Sequence, residues 1–430
     1  MKLAEYLVPI AYLFVLFTVI LLLYKFITQT TDGFADSASS ALQQVVTLAN
    51  ARMNGRQSME LMLSRYTSST TPDAVPEEET SLVNFYTLGC RFAGYLGPYI
   101  KGELNPDKAV KYAVDMGCRT FILEIGYIPE CGNFYPKVMI RNVQGIKLQS
   151  AEFSPNCEGD SNSTIKAVAT ALKKYALDDP TNQGKGPLIL VLYVLEAPPS
   201  DPKEPDRLLK YYSKIAEGLQ PLASNRVNSM ANGGNFSRQQ QEGVLLANNI
   251  RDYDNSVIVM CNADTSDFRT PPPNFNVEAN ADLDNWVNLR LSSFTQTKLG
   301  VTTQSTTAQF GILDTVQGFL GISSEKISSV VKGFNPTWTL CMETDPEKAT
   351  TPEDFQKLTS TFGINCIPIQ IWNPSYDFLY AKKTGLFESY SFVPKPASLR
   401  YRKPPIMVAG EANPAMNANE GRLKMPVSRA

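Results

Sequence analysis

The chain has 430 residues, with 40 basic against 42 acidic side chains, a formal net charge of −2, and 43% hydrophobic residues. So even a balance gives no whole-chain field for a polyanion, and a nucleic-acid partner drops out of the reading. No histidine occurs at any position, which removes the side chain best placed to exchange protons near neutral pH and the commonest imidazole metal ligand.

From Tyr6 to Tyr24 no residue is charged, and Leu, Val, Ile and Phe dominate. As a helix this run is long enough to cross a bilayer's hydrocarbon core. A cleaved signal peptide has a shorter apolar stretch followed by small residues, whereas Tyr24, Lys25 and Phe26 close this one. A single-pass transmembrane anchor over residues 1–28 is therefore expected, in preference to a signal peptide or a buried core helix, with the lipid bilayer as its partner. Tyr6, Tyr12 and Tyr24 suit the aromatic belts of a membrane. Lys2 and the amino terminus on one side balance Lys25 on the other, so the charge rule leaves orientation open.

Residues 29–80 read as stalk and linker. Leu42, Val45, Val46, Ala49, Met53, Leu61 and Met62 recur at near-helical intervals and predict a helix over 36–66, either a stalk or a helix lying on the domain. The Ser, Thr, Pro and Glu of 67–80 predict a linker. From residue 81 the texture changes to short β-branched or aromatic runs separated by helix-length polar stretches. Strands are expected at Val83–Thr87, Thr120–Ile125, Leu188–Leu195, Val257–Cys261, Trp286–Leu291, Thr337–Met342, Ile364–Ile371 and Tyr390–Val393. Helices are expected at Pro106–Met116, Thr164–Tyr175, Pro205–Leu219 and Thr351–Phe362, and a long loop at 265–282 around three consecutive prolines. Eight strands alternating with helices predict an α/β, TIM-barrel-like (β/α)8 domain over 81–400, with an open doubly wound sheet as the other arrangement. Residues 401–430, rich in Pro, Asn, Ala and Gly, read as an extended C-terminal tail.

Seven cysteines are spread singly, without a CxxC pair, so no zinc ribbon or dense disulfide framework is indicated. Cys131 and Cys157 lie in loop-like stretches and could pair in an oxidising compartment. Asn162 and Asn235 head glycosylation sequons. The sequence carries no phosphate-binding glycine loop, no dinucleotide fingerprint, no nucleophile elbow and no zinc-protease motif.

The stretch Ala109–Glu124, AVKYAVDMGCRTFILE, resembles the segment of phosphatidylinositol-specific phospholipase C barrels in which a helix, Gly-Cys-Arg and a carboxylate-bearing strand follow one another. Pro187–Leu192 looks like that family's third barrel strand and Val257–Asn262 like its fourth. Val393–Pro396 with Leu399 and Arg400 looks like the end of its second half. The resemblance implies a PLC-like barrel over roughly residues 83–400. It also implies two catalytic histidines, which fall here at Arg91 or Phe92 and at Ile140 or Arg141. None of these residues can cycle a proton near neutral pH. The implied calcium ligands fall at Ala93 or a neighbour, Ile122, Glu124 and Tyr193, and the phosphate-binding lysine at Met260 or Cys261. One carboxylate does not make a calcium site, so no metal and no cofactor is expected.

Arg91, Phe92, Ile122, Glu124, Ile140, Arg141 and Tyr193 are thus expected to line a vestigial pocket. Arg91 and Arg141 are candidate anion-binding groups, or else ion-pair partners of Glu124. Glu124 with Glu196 is the only acid–base pair worth naming, and a structural or solvated carboxylate is the commoner outcome. The expected function is a non-catalytic, membrane-anchored structural or docking protein with a PLC-like pseudoenzyme barrel. Its stalk and tail would contact other proteins of a large assembly, as in a minor capsid or membrane-associated virion protein of a large DNA virus. The alternatives are a membrane-tethered phosphodiesterase with an atypical site and an anionic-lipid-binding module that does not cleave its ligand.

Overall fold

The computed structural model describes residues 43, 46–52, 57–67, 74–97, 103–127, 136–138, 140–141, 147–148, 163–199, 201–227, 248–276, 278, 280–292, 310–345 and 348–402. The expected anchor, the tail beyond residue 402, Cys131, Cys157, Asn162 and Asn235 lie outside these. Among the described residues no helix is long and apolar enough to cross a membrane.

In chain order the elements used below are α1 Met59–Thr67, β1 Phe85–Thr87, β2 Gly89–Cys90, α2 Pro106–Asp115, β3 Thr120–Tyr127, β4 Pro136–Val138, α3 Ser163–Leu172, β5 Leu188–Val194 and α4 Arg207–Gly218. There follow β6 Val257–Cys261, β7 Leu289–Ser292, β8 Phe310–Thr315, α5 Ser324–Phe334, β9 Thr339–Met342, α6 Pro352–Ser360 and β10 Phe392–Pro394. Strands β2, β3, β5, β6, β7, β8 and β9 pair in that order, each parallel to the next, and β4 adds antiparallel to the end of β3. The sheet is a curled parallel sheet with helices outside it.

Side-chain alternation gives the curled sheet two apolar faces. Successive residues of a strand face opposite ways. Along β6, Val257, Val259 and Cys261 join the large cluster shared with the helices, while Ile258 and Met260 join a second cluster inside the curl with Ile122, Val191, Leu289, Leu291, Leu340 and Met342. Both faces are buried, which is why the strands read as nearly continuous apolar runs. The helices begin on local signals. Asn105 accepts a hydrogen bond from the Lys108 amide with Pro106 in the first turn, and Thr351 does the same for Asp354 ahead of Pro352.

The predicted strand at Ile364–Ile371 forms isolated bridges instead. Leu340 bridges Cys366 and Cys90 bridges Ile369, both parallel, so this segment links the two edges of the sheet. Pro368 has no N–H to give a ladder and confines the contact to its flanks. Two further expectations change. Helix 36–66 is broken, because Gln57 and Ser58 are not helical and the Gln57 amide donates to Ser389 O at 3.0 Å. The expected linker is packed over its last part, with Val75, Glu79 and Thr80 all buried.

The end of the curl at which the strands begin, here called the floor, is closed by an antiparallel pair, β1 with β10, and by α1. Phe85, Phe392, Met59, Met62 and Leu63 fill it from below. The opposite end is the mouth.

Candidate functional site

β2 delivers Arg91 to the mouth, where its amide donates to Ile369 O at 2.9 Å. The chain then turns sharply: Phe92 takes a φ of 56°, a left-handed value that a bulky side chain rarely adopts, followed by Gly94 at 92°. This turn lays the Phe92 ring under the Arg91 guanidinium, 4.8 Å from ring centroid to Cζ.

On β3, Glu124 shares the inward face with Ile122, two residues earlier. It is fully buried, and its Oε1 accepts from Arg91 Nε at 2.6 Å. The same guanidinium donates from its NH1 to the Glu343 carbonyl, just past β9, at 2.8 Å. Arg91 thus spans the mouth from the second stave to the seventh, and it is itself only 7% exposed. Two carboxylate oxygens nearby, Glu124 Oε2 and Glu343 Oε1, are buried without a hydrogen-bond partner. Burial pushes the Glu343 carboxyl above the usual range, against the lowering pull of Lys348 and a hydrogen bond from Thr350. Beneath them Met260, Met342, Val191 and Leu291 fill the interior.

Of the residues singled out in the sequence, the mouth thus brings together Arg91, Phe92 and Glu124, with Ile122 below and a half-buried Tyr193 on the neighbouring strand. Met260 faces inward and Cys261 outward. Ile140 and Arg141 pair antiparallel with Leu148 and Lys147, away from the main sheet, and their side chains lie outside the described residues. Glu196 is exposed while Glu124 is buried, so the two carboxylates do not share an environment. Glu343 was missed from sequence, and its one signal is that it follows the apolar run of β9 at the mouth end.

Among the described residues no group of three or more Cys, Asp or Glu side chains could hold a metal ion. Among the described residues every thiol is buried. Cys90, Cys261, Cys341 and Cys366 are buried and pushed up, Cys90 first by its hydrogen bond with Cys118 and the other three by desolvation. An open groove of about 440 Å³ lies elsewhere, on the helical layer, between Thr170, Lys173, Lys174, Tyr175, Asp178, Asp179 and Pro221. Its lysines are matched by Asp178 at 3.5 Å and Asp107 at 3.0 Å.

The sequence matches no protein-family profile, and no curated protein is significantly similar to it. Solved structures do match. PLC21 from L. pealei superposes with a TM-score of 0.50 at 12% identity, covering 76% of this chain and 38% of that one. PLC21 from S. officinalis gives 0.48 at 10% identity, covering 87% and 51%. A calcium-dependent phosphoinositol-specific phospholipase C from Pseudomonas sp. gives 0.42 at 13% identity, covering 74% and 96%. The chain therefore spans about 38% and 51% of the two PLC21 proteins. The fold is distantly similar to that of phosphatidylinositol-specific phospholipases C.

Proposed function

We propose that this chain is a non-catalytic docking protein built on a PLC-like (β/α)8 barrel, with residues 366–369 as the eighth stave. Residues 6–24 hold it on a membrane, and the tail beyond 402 contacts neighbouring proteins of a larger assembly. A minor capsid or membrane-associated component of a large DNA virus is the assembly these features suit. The observation that carries the reading is the Arg91 guanidinium, buried across the mouth between Glu124 and Glu343, in a chain without histidine. A phosphodiesterase needs groups that take and give protons beside an open site. Here the two best-placed charges neutralise each other, and apolar side chains fill the space below.

Two measurements test this. Purified full-length protein in detergent or liposomes, incubated with phosphatidylinositol and calcium, is expected to release no inositol phosphate. Turnover that Glu124→Gln abolishes would sink the non-catalytic reading. Deleting residues 1–30 is expected to move the protein from the membrane pellet to the soluble fraction with its melting transition intact. Retention in the pellet after alkaline extraction would sink the anchor.

A further inference from the structure

The floor carries a group that neither the fold similarity nor the docking role uses. After β10 the chain runs back across the floor to residue 402, and nearly every polar group along it is held. The Lys395 amide donates to Asn84 O at 2.8 Å, and the Tyr401 amide donates to Asn84 Oδ1 at 2.6 Å. Asn84 Nδ2 donates back to Tyr401 O at 2.9 Å and to Glu79 O at 2.8 Å. Arg400 donates from Nε to Lys395 O at 2.6 Å and from NH1 to Ala74 O at 2.7 Å.

Lys395 is the exception in kind. Its side chain turns inward, only 2% exposed, and its amine meets one acceptor, Asn365 Oδ1, at 3.1 Å. That oxygen already accepts from the amide and the hydroxyl of Thr339, each at 3.0 Å. The buried carboxylate of this floor is Glu79, and both its oxygens are engaged elsewhere: Oε2 by Arg400 at 3.2 Å, Oε1 by Arg402 at 2.8 Å. Two of the three cationic side chains on this short segment, Arg400 and Arg402, therefore share one carboxylate, and the third, the buried Lys395, meets none. A charged ammonium at this place is uncompensated, whereas a neutral amine keeps the bond to Asn365 at little cost.

We propose that residues 392–402 are a proton-linked strap, seated on the floor when the Lys395 amine is neutral and displaced toward water when it takes up a proton. Burial alone, with no charged group acting on it, pushes Lys395 down from 10.5 to about 7. For a base whose pKa is depressed in the closed form, the open form binds more protons between those two values. Through this amine the strap therefore tightens as pH rises from about 7 toward 10.5 and loosens as pH falls through that window, and below it the amine contributes no further change. The strap continues in sequence into residues 403–430, so one buried amine sets how firmly the root of that segment is held.

The test is amide exchange of the full chain at pH 7 and pH 9, corrected for intrinsic rates, with Leu188–Val194 as the internal reference. From pH 9 to pH 7 the protection of 392–402 relative to the reference is expected to fall on the order of tenfold or more, and Lys395→Met is expected to abolish the dependence. A flat wild-type profile, or an unchanged dependence in Lys395→Met, overturns the proposal. If Lys395→Met does not fold, the nitrogen resonance of the Lys395 amine decides in the wild type. A midpoint near 7 that tracks strap exchange supports the strap, and one above 9 overturns it.

Discussion

The mouth and the floor of the barrel both bury charge, and they handle it in opposite ways. At the mouth one guanidinium faces Glu124 directly, yet two carboxylate oxygens, Glu124 Oε2 and Glu343 Oε1, stay unpartnered. At the floor the amides do the work. Asn365 donates to Val83 O and Phe85 O at 2.8 and 2.9 Å while accepting from Thr339 and Lys395, and Asn84 ties the last residues of the strap. The floor is a connected amide network, with Ser391 Oγ and Trp338 Nε1 beside it left without partners, whereas the mouth is a charge pair whose remaining capacity goes unused. Connected amide networks rigidify, and a buried pair costs desolvation that its attraction only partly offsets. The difference teaches that the mouth keeps its charges in balance without being built around them.

Breaking one partner at the mouth gives the largest expected effect. Arg91→Met leaves Glu124 charged and buried with nothing opposite, and about 3–5 kcal/mol of stability is expected to go, read as a shift in urea midpoint. Adding Glu124→Met to that variant is expected to restore most of the loss, because two apolar side chains of similar volume remove the desolvation as well as the attraction. If the double variant stays well below wild type, the pair is a net stabilising bridge and the comparison with the floor fails. At the floor, Asn365→Ala strands two carbonyls and the Thr339 and Lys395 donors at once. A loss of about 2–4 kcal/mol is expected in the same urea titration.

How far the sequence foretold these regions depended on whether a run of apolar residues marked the element. Thr120–Tyr127, Leu188–Val194 and Val257–Cys261 were legible because both their faces are buried. Two staves were not, and each contains a glycine that the packing demands. A Cβ on Gly89 would lie 2.5 Å from Cys366 Sγ, and one on Gly311 would lie 2.7 Å from a Leu291 methyl. Close approach of neighbouring staves thus replaces the β-branched residues that strand recognition relies on. Helix Ser324–Phe334 was missed as well, its polar Ser, Glu and Lys positions masking Val330, Val331 and Phe334. At the mouth, Arg91 and Glu124 were found through the family resemblance, because the helix and strand around them kept its order. Glu343 follows the apolar run of β9 with no motif about it, and only the curling of the sheet brings its carbonyl to Arg91. Lys395 lies in the stretch Val393–Pro396 that resembles the family's second half, but nothing in the letters separates a buried lysine from an exposed one.

Replacing Glu343 sharpens the mouth further and has the smallest expected effect. Its carboxyl is pushed above the ordinary 4.5 by desolvation, so the native state holds that proton more tightly than the unfolded chain does. For an acid shifted upward, stability is greatest below the unfolded value and declines as pH rises toward the folded one, then stays lower by a constant amount. Glu343→Gln keeps the neutral shape and cannot ionise, so its stability lacks that decline. The variant and the wild type are therefore expected to melt together near pH 4, with the variant gaining as pH rises to neutrality. The gain should stay below about 1 kcal/mol, because Lys348 and the Thr350 hydrogen bond already favour the charged form and the rim is near solvent. Paired melts at pH 4, 5, 6 and 7 read the difference directly. A variant less stable than wild type at pH 7 would mean that the Glu343 carboxylate anchors Arg91 through its side chain as well as its carbonyl. The mouth would then be a three-membered charge network, closer in kind to the floor than the pair described above.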